Sequence, residues 1–210
     1  FEKQIKLCKK LLETYKKQKE KGKGNQDLIR AANVLGVAAL DTYVTDLFLE
    51  YFIVYIKKYE ISCEFEKWLN EHGITTRKLL ISLQKDNPYE EIRNIIFDGI
   101  EKYTTQRFEV IDKLFSFYGL NDLSKCAEDR SKKPDLLLSI SKMIQRRHCI
   151  VHDGDYKKAR ITINSINCDD VENQINSLII YVENVDYIVM NRFQHDTDQI
   201  NSNQNSSQME

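Results

Sequence analysis

Glycine and proline are scarce in this chain, which has seven glycines and two prolines among 210 residues. Because tight turns depend on these two residue types, their scarcity disfavours all-β folds with many turns and arrays of βαβ units. Hydrophobic residues make up 41% of the chain and charged residues 30%, which is typical of a globular domain rather than a disordered chain. The composition therefore predicts a helical protein.

An excess of one charge sign is also absent, because 31 Lys and Arg residues face 32 Asp and Glu residues, for a formal net charge of −1. Any contact with nucleic acid must therefore come from local basic patches. The five cysteines are scattered and form no CxxC pair, which argues against a disulfide scaffold or a zinc ribbon. We interpret them as reduced thiols of a cytoplasmic protein.

The sequence also lacks an apolar run of the length that a membrane span requires. The most apolar stretch, 34–56, is interrupted by Asp41, Asp46 and Glu50, whereas a span needs about 20 predominantly apolar residues. This stretch is better explained as a buried core helix, and we expect no membrane association.

Hydrophobic periodicity and helix-breaking residues divide the chain into elements of an all-α fold. We expect a single domain over 1–193, a polar loop at 120–133 with at most one helical turn, and a short irregular or extended segment near 160–166. The Asn-, Gln- and Ser-rich tail 194–210 is expected to be disordered. The predicted helices are 1–20, 26–58, 62–71, 75–86, 88–102, 104–118, 134–152 and 169–193.

The helix predicted at 134–152 interrupts its own apolar face with an arginine. At about 100° per residue, Arg147 projects into the middle of that face, whereas Arg146 falls at its edge toward solvent. An arginine in apolar surroundings costs several kcal/mol unless a carboxylate or a phosphate meets it. His148 and His152 lie one turn apart on the flank of the same face. The apolar residues of this face are Leu136, Leu137, Ile140, Met143, Ile144, Ile150 and Val151.

Two explanations of Arg147 remain open at the level of periodicity. The arginine is either a core residue paired with a buried acid or a binding group for an external anion. Asp41, on the apolar face of the predicted helix 26–58, is the candidate acid and could orient Arg147 by a bidentate pair.

The segment Arg147-His148-Cys149-Ile150-Val151-His152 resembles the R-polar-xxx-H motif of the HEPN superfamily (higher eukaryotes and prokaryotes nucleotide-binding). With the flanking Arg146 and the sequence Asp153-Gly154, it is similar to the small prokaryotic RiboL-PSP-like group. In that group the motif lies near the end of a late helix, with one long helix after it. The resemblance implies an all-α, HEPN-like helical bundle.

The resemblance further implies a metal-independent endoribonuclease that needs no cofactor. Arg147 and His152 would be catalytic, and His148 would support them; Asp41, the acid that periodicity offers to Arg147, is a further supporting residue. Because one His152 cannot be acid and base in the same step, a composite site in a homodimer follows. Such a protein would act as a toxin or an anti-phage effector, with an antitoxin or sensor domain as a partner. The residues expected to contact the RNA substrate are Arg146, Lys157, Lys158 and Arg160.

Two other classes of protein compete with this interpretation. His148-x-x-x-His152 is a spacing that can bind a transition metal, with Asp155 or Asp41 as a third ligand, which would make a metal-dependent phosphodiesterase. The second alternative is a non-catalytic HEPN-like module that binds RNA or a partner protein. Retention of both Arg147 and His152 favours an enzyme over the binding module.

Overall fold

A computed structural model of the chain describes the backbone of residues 1–100, 105–156 and 162–206, and the side chains of these residues up to 194. Within these ranges the protein consists of helices joined by short loops, with no strand beyond one isolated antiparallel bridge between Tyr156 and Ile163. The helices are α1 (Glu2–Glu20), α2 (Asp27–Lys58), α3 (Cys63–Glu71), α4 (Thr76–Ser82), α5 (Pro88–Ile100), α6 (Phe108–Ser116), α7 (Leu123–Ser131), α8 (Leu136–Asp153) and α9 (Cys168–Ser206).

Helix α2 forms the centre of the bundle, and α1, α5, α8 and α9 pack around it. Its 32 residues are apolar on nearly every side, as expected of a helix surrounded by others. Helices α2 and α8 approach closely at Gly36, because a Cβ atom there would lie 2.3 Å from the Cε atom of Met143. The helix that carries the arginine–histidine motif is thereby held directly against the core.

An aromatic cluster packs between α2, α3 and the end of α6. Phe48 stacks on Tyr118 with 4.9 Å between ring centroids, and Phe65 stacks on Phe117 at 4.5 Å. The Tyr118 hydroxyl donates a hydrogen bond of 2.8 Å to the carbonyl oxygen of Phe48, which satisfies a buried polar group. These contacts fix α3 and the end of α6 on the central helix.

The predicted all-α class is confirmed, but the region expected to be a loop at 120–133 contains helix α7. Its polar sequence is stabilised by tertiary contacts, because Leu123 and Ala127 are buried and the helix packs on α9. The Asp112 carboxylate accepts a hydrogen bond of 2.7 Å from the Ser124 backbone N–H, so a residue of α6 caps the start of α7. Neither contact is visible in local sequence.

Helix α9 extends beyond residue 193, the end predicted from the sequence, and reaches Ser206. The polar residues after Phe193 include no proline or glycine, so no helix-breaking residue occurs there. Residues 207–210 lie outside the described residues, and the expected disorder of the tail stays a prediction. Residues 162–167 are irregular apart from the Ile163 bridge, as expected for this segment.

None of the described helices is both long enough and apolar enough to cross a bilayer. The apolar stretch at 34–56 is the inner part of α2 and is covered by other helices.

Candidate active site

One face of α8 forms a wall of a cleft with a volume of about 540 Å³. The residues of this wall recur at helical spacing, as expected for side chains on one side of a helix. The opposite wall comes from the start of α6 and the residues just before it. The α8 wall consists of Ser141, Ile144, Gln145, Arg147, His148 and His152, and the opposite wall consists of Gln106, Arg107, Phe108 and Glu109.

Arg147 is half-buried at the edge of the cleft, between the core face of α8 and the exposed histidines. Among the residues that the structure describes, no side chain forms an ion pair or a hydrogen bond with its guanidinium. A guanidinium presents five N–H donors in a planar fork that matches a phosphate or a carboxylate. Arg147 is therefore a cation held in partly apolar surroundings with no counterion among the described residues, which is what an anion-binding residue requires.

His148 and His152 are exposed and lie side by side on the α8 wall. Their ring centroids are 4.5 Å apart, with the ring planes at 41° to each other. Both rings face the cavity that Arg147 lines. Imidazole exchanges protons near neutral pH, so the cleft combines a fixed positive charge with two groups suited to proton transfer.

Arg146 does not face solvent, and this expectation from the sequence is wrong. Its side chain is 26% exposed, and its Nη2 atom lies 2.8 Å from the Oδ2 atom of Asp155, a carboxylate with no exposed surface. Nη2 also donates a hydrogen bond of 3.0 Å to the carbonyl oxygen of Ser165. The arginine that meets a buried acid is thus Arg146, whereas its neighbour Arg147 meets none among the described residues.

Asp155 contacts α2, α8 and the irregular segment at Asn164, and it does so at the end of α8. Its Oδ2 atom also accepts a hydrogen bond of 2.8 Å from the Nε atom of Arg30 on α2. The backbone N–H of Asp155 donates to the carbonyl oxygen of Cys149 at 3.0 Å, and the side chain of Asn164 donates to the backbone oxygen of Asp155 at 3.0 Å. We call Arg30, Arg146 and Asp155 the carboxylate clamp. The clamp connects both sides of the Arg147–His152 segment to α2.

Gly154 allows the chain to turn sharply between His152 and the clamp. Its φ of +62° lies in the left-handed region, where glycine carries no steric penalty, and it ends α8. A Cβ atom at this position would lie 3.1 Å from the Tyr156 ring. Any other residue at position 154 would be strained, so the turn that directly follows the motif depends on this glycine.

Asp41 does not orient Arg147, contrary to the pairing expected from the sequence. Its carboxylate accepts hydrogen bonds from the Thr105 hydroxyl and, at 3.3 Å, from the Nε2 atom of Gln106. Asp41 lies on the apolar face of α2 as expected, but this part of the face is turned toward the residues before α6. Asp41 thus anchors the segment that leads into the opposite wall of the cleft.

The basic residues expected to contact RNA have different surroundings. Lys157, Lys158 and Arg160 lie outside the described residues, so their predicted role stays a prediction. The Nη2 atom of Arg146 already donates to protein acceptors, so the surroundings of this residue favour a structural role. Arg107, on the opposite wall of the cleft, was missed at the sequence level, because nothing near it in the chain indicates that α6 begins beside α8.

The metal-binding alternative lacks a third ligand in the places proposed for it. The buried carboxylate of Asp155 faces Arg30 and Arg146, and the carboxylate of Asp41 faces Thr105 and Gln106. Within the described ranges, no group of three His, Cys, Asp or Glu side chains has a geometry suited to a metal ion. His148 and His152 therefore stand as a pair of imidazoles beside an arginine.

Comparison with known proteins gives one family that covers nearly the whole chain. The family model for RiboL-PSP-HEPN matches residues 3–191, which include both walls of the cleft and the carboxylate clamp. No curated protein and no solved structure matched the chain significantly. HEPN domains are generally ribonuclease-like, and they often bind RNA and form dimers. With its all-helical bundle and its Arg147–His152 motif at the end of α8, the chain belongs to the RiboL-PSP-HEPN family.

Proposed function

We propose that this protein is a metal-independent endoribonuclease whose catalytic residues are Arg147 and His152, supported by His148. The observation that carries the proposal is the half-buried guanidinium of Arg147, which meets no acid among the described residues and shares a cleft with both imidazoles. A cation in this setting is suited to an anionic group brought by a ligand, and the RNA backbone supplies one phosphate per nucleotide.

The proposed reaction is an internal transesterification. The 2′-oxygen of a ribose attacks the adjacent phosphorus, the bond from phosphorus to the 5′-oxygen breaks, and a 2′,3′-cyclic phosphate and a 5′-hydroxyl result. One imidazole removes the proton of the 2′-hydroxyl, and another donates a proton to the leaving 5′-oxygen. The guanidinium of Arg147 stabilises the negative charge that develops on the phosphate oxygens.

A homodimer supplies the two proton-transfer groups that this reaction needs. The attacking and leaving oxygens lie on opposite sides of the phosphorus in an in-line displacement. His148 and His152 of one protomer project from the same face of α8, so a single copy places imidazoles on only one side. Two α8 helices related by a two-fold axis would place one His152 on each side. Val151, next to His152, is 48% exposed, although periodicity assigned it to the core, and it offers apolar surface for such a contact.

We further propose that this ribonuclease acts in the cytoplasm as a toxin or an anti-phage effector, with an antitoxin or a sensor domain as its partner. The five free cysteines are consistent with a reducing compartment. Expression of the protein in bacteria should arrest growth, and the Arg147→Ala variant should not. Growth arrest that persists in this variant would contradict a toxic role for the cleft.

Cleavage of a labelled single-stranded RNA by the purified protein tests the proposed activity. We expect Arg147→Ala and His152→Ala to abolish cleavage while helical content, measured by circular dichroism, is unchanged. Lys142→Ala is the matched control, because Lys142 is an exposed residue of α8 outside the cleft. If both cleft variants bind RNA but the parent protein never cleaves it, the non-catalytic binding module is the correct interpretation.

A further inference from the structure

We propose that the wall of the cleft opposite α8 is a nucleobase-binding subsite in which the ring of Phe108 stacks on a base beside the scissile phosphate. The proposal deepens the proposed function and rests on it for the identity of the ligand. Phe108 is the first residue of α6 and lines the same cavity as Arg147 and His152. A nucleotide whose phosphate contacts Arg147 therefore shares one cleft with this ring.

The size and lining of the cavity suit a nucleotide better than a phosphate alone. Its volume of about 540 Å³ is typical of sites that hold small organic ligands, which are lined by apolar side chains with a few placed polar groups. Phe108 and Ile144 supply apolar surface, and the exposed side chain of Gln145 brings an amide group. Unpaired RNA bases are recognised by stacking on aromatic rings and by hydrogen bonds to their edges.

The ring of Phe108 is held in place before any ligand binds. It is half-buried, and its centroid lies 5.4 Å from the centroid of Tyr181 in an edge-to-face arrangement. Tyr181 is fully buried, and its hydroxyl is 3.1 Å from the Ser124 hydroxyl. A ring fixed by such packing loses little conformational entropy when a base stacks on it.

The backbone that carries Phe108 is anchored as well. Asp41 on α2 accepts hydrogen bonds from Thr105 and Gln106, and both of these residues are more than nine-tenths buried. This anchor gives Asp41 a part in the cleft that differs from the one predicted from the sequence, because it positions the base-binding wall rather than the arginine. Arg107 is exposed at the outer edge of the same wall, and its Nε atom lies 3.7 Å from the Oε2 atom of Glu109.

Binding assays with two probes distinguish base recognition from contact with the backbone. The background is His152→Ala, so that the RNA stays intact, and the probes are a short single-stranded RNA and an abasic ribose-phosphate oligomer of equal length. Phe108→Leu keeps apolar bulk against the core but removes the aromatic ring. We expect it to weaken RNA binding by roughly 5- to 150-fold, as measured for loss of one stacked base. Its affinity for the abasic oligomer should not change.

Two further variants serve as controls. Phe108→Tyr retains the ring and should bind both probes as the background does. Tyr89→Ala removes an exposed aromatic residue of α5 outside the cleft, and it should also leave both affinities unchanged. Equal RNA affinity of Phe108→Leu and the background would overturn the subsite. A change of the dimer into a monomer in Phe108→Leu, measured by light scattering, would also overturn it, because a second copy of the chain would then occupy this wall.

The result that would reject the base-binding subsite differs from the result that would reject the ribonuclease function. If the parent protein does not cleave RNA but Phe108→Leu loses affinity for RNA alone, the ribonuclease proposal is wrong and the subsite is supported. If the parent protein cleaves RNA and Phe108→Leu loses equal affinity for both probes, the activity stands. The ring would then contact the backbone rather than a base, and the subsite would be rejected.

Discussion

The carboxylate of Asp155 lies 2.8 Å from the guanidinium of Arg146 and is fully buried. This pair connects the residue before Arg147 with the turn after His152, so both ends of the motif segment are tied to one point. A second arginine, Arg30, contacts the same oxygen from α2 at 2.8 Å. The position of the motif segment relative to the core therefore depends on the carboxylate clamp.

We expect Asp155→Asn to destabilise the protein by about 3–5 kcal/mol, because removal of one partner leaves buried charges without compensation. Urea unfolding followed by circular dichroism measures this change. Asp153→Asn is the control, since Asp153 is exposed and has no ion pair among the described residues. Equal free energies of unfolding for the two variants would show that the clamp does not stabilise the fold.

Substitution of Arg147 should reduce activity, whereas substitution of its neighbour Arg146 should reduce stability. Arg147→Ala should lower the rate of RNA cleavage below detection, by at least roughly 10²–10³-fold, the loss that removal of a charge-stabilising donor causes elsewhere. It should change the free energy of unfolding by about 0.5 kcal/mol or less. Arg146→Ala should destabilise the fold by roughly 1–3 kcal/mol, because the clamp loses a donor. Cleavage kinetics and urea unfolding of both variants measure the difference. A large loss of stability in Arg147→Ala would mean that this residue is structural.

Mixed dimers test whether the site is composite. If each active site needs His152 from both protomers, a dimer with one His152→Ala protomer is inactive. When wild-type and His152→Ala protomers exchange freely, cleavage should fall with the square of the wild-type fraction. Dilution with Lys142→Ala protomers should leave the activity unchanged. A linear decline with His152→Ala would indicate that each protomer carries a complete site.

Cysteine labelling provides an independent test of the fold. Cys63 and Cys126 are exposed, whereas Cys8 is buried between α1 and the core, and burial raises the pKa of its thiol to about 11. The thiol of Cys8 is therefore protonated and shielded at pH values well below that pKa, and only a thiolate reacts readily. We expect iodoacetamide to modify Cys63 and Cys126 in the native protein, and Cys8 only after unfolding, as measured by mass spectrometry. Rapid native labelling of Cys8 would contradict the packing of α1.

The sequence predicts the helical class and the bounds of the long helix α2 well, because a helix that is apolar on most sides has a strong local signal. The sequence predicts that Arg146 and Arg147 face different directions, because one residue corresponds to a rotation of about 100° around the helix, but it places Arg146 toward solvent, and this prediction is wrong. The partner of Arg146 was not predictable, since Asp155 reaches it only through a left-handed turn that tertiary contacts stabilise. The cleft wall that carries Phe108 was not predictable either, because only the packing of the whole bundle brings α6 next to α8.

The chemistry of the RNA ends tests the central claim most directly. Wild-type protein should cleave single-stranded RNA in the presence of EDTA and produce 2′,3′-cyclic phosphate and 5′-hydroxyl ends, and the Arg147→Ala variant should produce neither. Products with 5′-phosphate ends that form only when a divalent metal is added would contradict a site built from an arginine and paired histidines.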